Sequence, residues 1–294
     1  VIEAVNAAHR PVVAVDIPSG LDATTGLPSG AAIRADLTVT FVGRKLGLHL
    51  GEGPALAGVV EFADLGIPPA VVERAGLTGQ ARLLLFTAAE LPRLLPRRPA
   101  TAHKGNFGHV LVVGGNHGMS GAVRLAGEAA LRTGAGLVSV ATRPAHAALL
   151  PLVRPELMGH GIGDATDLAP LLARATVVAV GPGLGQDDWA RQLLAATLAT
   201  GLPLVIDADA LNLLPAGHPP RGNWILTPHP GEAARLLGLT SAEVQRDRLG
   251  ALRSLRERWG GTLVLKGSGT LVGGGTGTPW VIPTGNPGMA TAGM

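Results

Sequence analysis

The sequence predicts an α/β protein with a mainly parallel sheet and helices on both faces. Short apolar runs alternate with amphipathic stretches along most of the chain, which is typical of repeated β-α-β units. The chain has 294 residues, more than the roughly 100 to 200 residues of a usual domain, so we expect two domains. Glycine-rich or polar turns follow several predicted strands, at the sites where ligands bind in open parallel sheets.

The first part of the chain contains three predicted strands. They are the apolar runs "VVAVDI" (12–17), "TVTFVG" (38–43) and "GVVEFADLG" (58–66). The run "FTAAELPRLLPRRP" (86–99) has three prolines and a basic cluster but no strand pattern, which indicates a connector. We therefore predict a first domain over 1–85, a linker over 86–100 and a second domain over 101–294.

Beyond residue 100 the predicted strands and helices alternate regularly. We predict strands over 109–115, 137–142, 176–183, 203–209, 224–228 and 262–269, and a further strand-like run at 280–283. We predict helices near 121–132, 167–174 and 188–199, and more helices within 231–259. This order favours a parallel sheet, because each pair of neighbouring parallel strands needs a crossover connection.

Composition excludes several classes of function. The chain has no cysteine, which excludes disulfides, thiolate nucleophiles and cysteine metal sites. The formal net charge is +3 and aromatic residues make up 3%, with no tyrosine, so we expect no nucleic-acid partner. No apolar run approaches the ~18 residues of a membrane span, and the first ten residues lack a secretory signal. We therefore expect a cytoplasmic protein without a membrane partner.

Lysine is rare in this sequence. Only Lys45, Lys104 and Lys266 occur among 24 lysines and arginines. In such a sequence a lysine can mark a site where a compact ammonium group fits and a planar guanidinium does not. The alternative is that these are three ordinary surface lysines, and the sequence leaves both interpretations open.

Five polar or glycine-rich turns directly follow predicted strands. They are "GGNHGMSG" after 109–115, "GPGLG" after Val180, "DADALN" after Ile206, "PHPGE" after 224–228 and "KGSGT" after Leu265. Because the carboxyl ends of parallel strands share one edge of a sheet, we expect all five turns on one rim.

Each of these turns also has a purely structural interpretation. A glycine after a strand first of all serves a tight turn. Asp207 and Asp209 can cap a helix that begins near Ala210. His229 lies between two prolines and can be a rigid loop residue without a functional role. Five such turns on one edge are harder to explain by structure alone.

The turn "KGSGT" is the best candidate for phosphate contact. The N–H groups of Gly267, Ser268 and Gly269 can form an anion-binding nest, while Thr270 adds a hydroxyl group and Lys266 a positive charge. The Walker A spacing GxxxxGK[ST] is absent, and "GPGLG" is not the GxGxxG fingerprint of dinucleotide-binding domains. The uncharged stretch "NPGMATAGM" (286–294) favours a second anion-binding turn before a helix.

Together these motifs resemble one family. "HKGNFGHVLVVGG", "GAVRLAGEAALRTGAGLVSVAT", "GPGLG", "PLVIDADALNLL", "ILTPHPGEAARLLG", "LVLKGSGT" and "NPGMATAGM" are similar to the ribokinase-like dehydratase domain of the bifunctional NAD(P)H-hydrate repair enzymes. The similarity covers 101–294 almost end to end. "VVAVDIPSGLDATTG" (12–26) and "ADLTVTFVGRKLGL" (35–48) resemble the second half of the Rossmann-like α/β epimerase domain that precedes it in this family.

The resemblance implies a lyase and an isomerase activity in metabolite repair. The dehydratase domain would convert (S)-NAD(P)H hydrate to NAD(P)H with ADP or ATP, through a phosphorylated intermediate, and Mg²⁺ would accompany the nucleotide. The epimerase domain would interconvert the R and S hydrates and bind K⁺. We further expect a homo-oligomer that acts on a small-molecule substrate.

The resemblance also implies roles for individual residues. The nucleotide would be bound by Lys266, Gly267, Ser268, Gly269, Thr270, Asn286 and Gly288. Contact with the hydrated cofactor falls to Asp16, Ala122, Gly183 and His229. Ser19 would help to hold K⁺. Lys45 and Lys104 match lysines in the family pattern, but no role follows for them. For Asp207 and Glu232 two roles stay open, the structure of the rim and the organisation of metal or water.

Two family features are expected outside this sequence. The catalytic base of the dehydratase is an aspartate that we expect two positions beyond Met294. The asparagine- and glycine-rich loop of the epimerase domain is expected upstream of Val1. We therefore expect a fragment of a longer product and assign no catalytic residue within the chain.

Two other functions stay open at this point. The first is a ribokinase-like kinase that phosphorylates a vitamin-precursor alcohol, although the epimerase-like segment would then have no use. The second is a catalytically inert nucleotide-binding protein.

Overall fold

A computed structural model describes residues 1–75, 83–286 and 288. Its strands are β1 (Val13–Val15), β2 (Leu37–Phe41), β3 (Val59–Ala63), β4 (Leu84–Leu85), β5 (His109–Val113), β6 (Leu137–Thr142), β7 (Leu157–Gly161), β8 (Val177–Val180), β9 (Leu204–Ile206), β10 (Trp224–Leu226), β11 (Thr262–Leu265), β12 (Thr270–Gly274) and β13 (Trp280–Ile282). Most of the "NPGMATAGM" stretch, on which the sequence predicts an anion-binding turn, lies outside the described residues.

Helices cover the connections between these strands. They are α1 (Ile2–Ala7), α2 (Gly53–Leu56), α3 (Pro69–Arg74), α4 (Leu91–Leu94), α5 (Ser120–Thr133), α6 (Pro144–Ala147), α7 (Leu150–Val153), α8 (Ala165–Leu172), α9 (Asp188–Leu198), α10 (Ala208–Leu213), α11 (Pro230–Leu237), α12 (Ser241–Arg246) and α13 (Arg248–Trp259). Single 3-10 turns lie at Leu46–Leu48, Ala88–Glu90 and Lys104–Phe107. In the described part of the chain, none of the helices combines the length and apolar character that crossing a bilayer requires.

A ten-stranded sheet forms the larger part of the fold. Its order is β4-β13-β12-β11-β10-β9-β8-β5-β6-β7. The strands from β11 to β7 run parallel, whereas β12 is antiparallel to both β11 and β13. The chain moves outward from β5 through β6 to β7 and then continues with β8 on the other side of β5. The strand order therefore reverses between β5 and β8, and such a switch point opens a crevice for ligands.

Alternate side chains of the central strand β5 enter two different cores. Leu111 and Val113 belong to a large cluster that includes residues of α8, α9, α11 and α13. Val112 belongs to a smaller cluster, in which it is buried together with Val123 of α5. Because successive side chains of a strand point to opposite faces, the two clusters lie on opposite sides of the sheet. The predicted α/β class, a mainly parallel sheet with helices on both faces, is confirmed.

The first part of the chain forms a separate three-stranded parallel sheet in the order β1-β2-β3. A small core lies beneath it, with Leu21, Leu48 and Leu56 buried. Leu50 lies two residues after Leu48 but is buried in the large core of the ten-stranded sheet. The segment after Leu48 therefore packs the first part of the chain against the second.

The predicted elements agree with the structure where their signals are long. β6 has the predicted bounds, and α5 extends one residue beyond the predicted helix at each end. The predicted strand over 262–269 ends at Leu265, because the chain turns at Gly267 and Gly269 with φ of +132° and +68° and returns as β12.

Strands β4, β7 and β12 have no counterpart in the sequence prediction. β4 is two residues long, and β7 reads "LMGHG", whose glycines have low strand propensity. β7 extends along β6 through five paired residues, so pairing outweighs the weak local preference. The predicted connector over 86–99 contains no strand, as expected, but it includes the 3-10 turn at Ala88–Glu90 and helix α4.

The core position of β5 leads to a stability prediction. Leu111 is fully buried, so we expect Leu111→Ala to lower the free energy of unfolding by about 2 to 5 kcal/mol, through lost burial and the cavity it leaves. Urea denaturation followed by circular dichroism measures this change. The control Leu152→Ala removes a side chain that is 79% exposed, and it should change the free energy of unfolding by less than about 0.5 kcal/mol. Equal effects of both substitutions would contradict the assigned core.

Candidate active site

The five polar turns of the sequence lie side by side at one edge of the sheet. They follow β5, β8, β9, β10 and β11, which are consecutive neighbours and run parallel. Their carboxyl ends therefore form one continuous rim, as predicted. Backbone hydrogen bonds join adjacent turns: the Gly115 N–H donates to the Pro182 carbonyl at 3.0 Å, and the Lys266 N–H donates to the Pro228 carbonyl at 2.9 Å.

Lys266 is the centre of a charged cluster on this rim. Its Nζ donates to Asp207 Oδ1 at 2.7 Å and lies 3.9 Å from Glu232 Oε2. The Thr227 hydroxyl donates to the same Asp207 oxygen at 2.7 Å. Glu232 is buried, whereas Lys266 keeps a 39% exposed side chain. One partly exposed ammonium group thus lies between two carboxylates.

Asp207 and Asp209 act mainly between turns. Asp207 occupies the N-cap position of α10, but its side chain makes no capping bond. Asp209 Oδ2 accepts a hydrogen bond from the Gly185 N–H at 2.8 Å and so ties the "DADALN" turn to the "GPGLG" turn. The side chains of Asp207 and Asp209 therefore do not act as simple helix caps.

His229 has a defined structural role. It is the N-cap of α11, and its Nδ1 accepts from the N–H groups of Gly231 at 3.0 Å and Glu232 at 3.4 Å. Glu232 Oε2 accepts in return from the His229 N–H at 2.8 Å, which completes a capping box. Because Nδ1 accepts, Nε2 carries the proton of the neutral ring, and it lies 3.3 Å from Glu232 Oε1. The ring stays half exposed on the rim.

The "KGSGT" turn is open on one side and supported on the other. Gly267 and Ser268 are exposed, and the Thr270 hydroxyl donates to the Gly267 carbonyl at 3.1 Å. Gly269 is backed by the first part of the chain, since a Cβ atom at this position would lie 1.9 Å from the His49 carbonyl oxygen. Glycine is therefore required at 269 by both its positive φ and this close approach.

Ala122 and Gly183 meet at the switch point between β5 and β8. A Cβ atom on Gly183 would lie 3.2 Å from Ala122 Cβ and 2.8 Å from Met119 Cβ. The Gly183 carbonyl accepts from the Asn116 N–H at 2.7 Å. The structure thus brings these two predicted substrate-contact residues together, on a different part of the rim from Lys266.

A polar network beside the switch point was not predicted from the sequence. Arg143 donates to Asn116 Oδ1 and to Asp187 Oδ2, both at 2.8 Å, and its guanidinium lies 4.2 Å from the Trp189 ring centroid. Burial opposes ionisation of Asp187, but the Ala190 N–H, Asn116 and Arg143 together hold the pKa of its carboxyl below the ordinary value. Asn116 and Asp187 are 71 residues apart, so no local motif indicates this network.

Arg248 is a second residue that the sequence analysis missed. It is the first residue of α13 and is buried behind the "KGSGT" turn. A signal for its burial exists, because it continues the buried stripe of Leu252, Leu255 and Trp259 at helical spacing. An arginine on an apolar helix face indicates a buried contact, although the sequence does not say with what.

The first part of the chain holds Asp16 and Ser19. Asp16 adopts a positive φ of 69°. Its carboxylate accepts from Lys45 Nζ, from the Phe41 N–H at 3.0 Å and from the Thr40 hydroxyl at 3.3 Å. The Lys45 hydrogen bond, followed by that of Phe41, lowers the pKa of Asp16 below its ordinary value. Ser19 is exposed, and its carbonyl accepts from the Ile33 N–H at 2.9 Å.

The three lysines differ in their surroundings. Lys45 and Lys266 both pair with an aspartate, at the two places where the sequence predicts ligand contact. Lys104 is exposed in the 3-10 turn before β5, at the opposite end of the strands from the rim. The interpretation of rare lysines as site markers therefore fits Lys45 and Lys266, and the ordinary surface interpretation fits Lys104.

Two further observations concern the predicted ligand contacts. Asn286 Oδ1 accepts from the Gly288 N–H at 2.8 Å, and the residues between and beyond them lie outside the described part. Within residues 1–75, 83–286 and 288, no three carboxylate or imidazole side chains converge on a common metal position.

Comparison with known proteins agrees with this geometry. A family model described as NAD(P)H-hydrate dehydratase matches residues 110–294, and one described as YjeF-related protein N-terminus matches residues 1–47. Bifunctional NAD(P)H-hydrate repair enzymes are 50% identical over 299 residues in Coxiella burnetii and 46% identical over 295 residues in Escherichia coli. Each alignment covers 100% of this chain but only 59% and 56% of the relative. The chain thus spans less than three fifths of their length.

Solved structures are similar to nearly three quarters of the chain. An ADP/ATP-dependent NAD(P)H-hydrate dehydratase from Bacillus subtilis, co-crystallised with ATP and Mg²⁺, has a TM-score of 0.63 at 31% identity, over 72% of this chain and 77% of that one. A ribokinase-like superfamily protein from Enterococcus faecalis has a TM-score of 0.66 at 32% identity, over 72% and 76%. The ribokinase-like fold is confirmed. Since the dehydratase model covers more than half of the chain and all five rim turns, this chain belongs to the NAD(P)H-hydrate dehydratase family.

Proposed function

We propose that the second part of this chain restores NAD(P)H from its (S)-hydrate in a nucleotide-dependent dehydration. The observation that carries the proposal is the rim itself, where the open "KGSGT" turn and the Lys266 cluster share an edge with the crevice between β5 and β8. A nucleotide on the turn would reach along this edge toward a ring bound at the crevice. The substrate names of the related proteins support the same assignment.

The proposed chemistry balances in two steps. The hydrate carries a hydroxyl at C6 of its nicotinamide ring, and hydroxide is a poor leaving group. The hydroxyl oxygen attacks the terminal phosphorus of ADP. The bond from that phosphorus to the bridging oxygen breaks, AMP leaves, and the hydroxyl proton passes to a base. The lone pair of the ring nitrogen then expels phosphate from C6, and loss of a C5 proton restores the ring double bond. The products are NAD(P)H, AMP and inorganic phosphate.

Phosphoryl transfer of this kind depends on positioning and charge stabilisation. Lys266 and the N–H groups of Gly267, Ser268 and Gly269 would hold the phosphates, with Thr270, Asn286 and Gly288 at the margins. Ala122, Gly183 and His229 would contact the hydrate. Mg²⁺ would neutralise charge on the phosphates, as the ATP and Mg²⁺ of the Bacillus subtilis crystals suggest. We propose ADP as the nucleotide, with ATP as the alternative.

For the first part of the chain we propose a place in an epimerase domain that interconverts the R and S hydrates. Asp16 would bind the substrate, and Ser19 would offer its hydroxyl to K⁺. The proposed division is a first domain up to about residue 85, a linker over 86–100 and a dehydratase domain from 101. Because β4 pairs with β13, Leu84 and Leu85 belong to the sheet of the second unit, which favours ending the first domain before Leu84.

The proposed reaction has a direct test. The natural full-length protein is incubated with (S)-NADH hydrate, ADP and Mg²⁺, and the absorbance of reduced nicotinamide is followed. We expect NADH to appear with one AMP and one phosphate per turnover. A phosphorylated vitamin-precursor alcohol in place of NADH would favour the kinase alternative. Nucleotide binding without turnover of any of these substrates would favour the inert alternative.

Lys266→Gln tests the nucleotide site. We expect the dissociation constant for ADP to rise about tenfold or more, because a charge-assisted contact is lost. The carboxylates of Asp207 and Glu232 would also repel the phosphates once Lys266 no longer pairs with them. Isothermal titration calorimetry measures the constant. Lys104→Gln makes the same chemical change at the far end of the strands and should leave it unaltered, so equal effects would disprove the assignment.

The ion pair of Asp16 leads to a pH prediction. Its folded-state pKa is lowered, so its stabilising contribution is present above the unfolded pKa and is lost as pH falls through the folded pKa. Lys45→Met removes the largest cause, and we expect the Asp16 pKa to rise toward its ordinary value. The stability difference between wild type and variant should shrink at acid pH.

Carbon-13 NMR titration of the Asp16 carboxyl measures this shift. Arg124→Met, which breaks the exposed pair with Glu128 on α5, is the control and should not move the Asp16 pKa. An unchanged Asp16 pKa in Lys45→Met would refute the pairing.

A further inference from the structure

Arg248 lies buried behind the "KGSGT" turn, with only 3% of its surface exposed. One nitrogen of its guanidinium, Nη2, reaches three carbonyl oxygens of the turn. The distances are 3.2 Å to Leu265, 3.3 Å to Lys266 and 3.1 Å to Gly269. The other terminal nitrogen, Nη1, donates to Gln245 Oε1 at 2.7 Å. A single side chain therefore holds both ends of the turn.

This contact fixes the direction of the N–H groups in the turn. In a trans peptide the carbonyl and the following N–H point to opposite sides. The Lys266 N–H follows the Leu265 carbonyl, points away from Arg248 and donates to Pro228 at 2.9 Å. By the same geometry the Gly267 N–H, which follows the Lys266 carbonyl, also points away from Arg248. Within the described ranges this N–H donates no hydrogen bond to the protein.

Gly267 is what allows Arg248 to come so close. A Cβ atom at this position would lie 2.9 Å from Arg248 Nη1, and the φ of +132° is one that other residues rarely adopt. The lack of a side chain at Gly267 thus leaves room for the guanidinium behind the turn and keeps the front of the turn open. Gly267 is exposed, and the side chain of the preceding residue, Lys266, is 39% exposed.

The charge of Arg248 has no carboxylate partner among the residues that the structure describes. Its hydrogen-bond partners are three carbonyls and one amide, and its Nε is buried without a partner in that part of the chain. Burial lowers the pKa of Arg248 to about 10, so the group is still charged at neutral pH. A buried cation with neutral partners raises the electrostatic potential at the turn, which favours an anionic ligand on its open side.

We propose that Arg248 is a positioning residue of the nucleotide site. It turns the Gly267 N–H toward the terminal phosphate and adds positive charge behind the turn, without touching the nucleotide. This inference rests on the proposed function, because it takes the anion at the turn to be the phosphate chain of ADP or ATP.

The test compares two substitutions at position 248. Arg248→Met keeps most of the side-chain length but removes the charge and the donors, so we expect ADP to bind at least about tenfold more weakly. Arg248→Lys keeps the charge but lacks the planar fork, and we expect an intermediate dissociation constant. With the hydrate as substrate, the KM for ADP should rise while kcat at saturating ADP stays within about threefold. Arg253→Met, on the exposed side of the same helix, should leave the dissociation constant unchanged.

Two readouts separate positioning from a general loss of stability. A variant that is only less stable would show a lower binding stoichiometry in calorimetry, with the dissociation constant of the remaining protein unchanged, and this result would overturn the proposal. The amide resonance of Gly267 should shift on ADP addition in the wild type and shift less in Arg248→Met. If Arg248→Met does not fold, Arg248→Lys decides, since a wild-type dissociation constant in that variant also overturns the proposal.

The outcomes for Arg248 and for the proposed function can be told apart. A wild-type protein that binds neither ADP nor ATP would overturn the proposed function and this inference together. A wild-type protein that binds ADP and regenerates NADH, with a folded Arg248→Met that binds ADP equally well, would overturn only the role of Arg248.

Discussion

The parallel pairing of β11, β10, β9, β8 and β5 is the constraint on which the rest of the molecule depends. Each of these strands ends in a turn whose residues could not meet in a free chain, since the turns span more than 150 positions. Parallel pairing sends every carboxyl end to the same edge, so the pairing of the strands makes the five turns neighbours. Reversal of the strand order beside β5 then supplies a crevice at the end of that row. The proposed site for two ligands, one on the turns and one in the crevice, uses this arrangement.

Close backbone approach makes this edge compact. A Cβ atom on Gly114 would lie 2.2 Å from the Pro182 carbonyl oxygen, and one on Gly181 would lie 1.8 Å from the Asp207 carbonyl oxygen. Glycines therefore let neighbouring turns touch across the switch point and across the next strand pair. At Gly269 the approaching backbone comes from His49, so the first part of the chain forms one wall of the proposed nucleotide site. The "KGSGT" turn is thus supported by residues distant from it in sequence.

Charges on the rim have structural partners of their own, and the proposed function also assigns them a place beside the ligand. Glu232 closes the capping box of α11 with His229, and it also lies near Lys266. Asp207 orients the same ammonium group and is itself held by Thr227. Because each carboxylate already has a structural partner, the cluster of the proposed site would be ordered before a nucleotide binds, and less ordering would remain on binding. Arg248 behind the turn follows the same pattern, since its donors hold carbonyls in place.

The sequence by itself determined the fold class, the family and the position of the five turns at the strand ends. Alternating apolar periodicity is local, and it is strong enough to predict β6 and α5 nearly to the residue. The glycines and polar residues of each turn are local signals too, so the five turns could be named in advance. The weak strands β4, β7 and β12 could not, because their pairing partners and not their own residues stabilise them. Only the tertiary structure decided which side chains meet. Lys266 and Asp207 are 59 residues apart in sequence. Arg248 donates to the carbonyl of Lys266, the first residue of the "KGSGT" turn, which lies 18 positions after it. Such contacts depend on strand order and crossover geometry, which spacing along a chain does not encode.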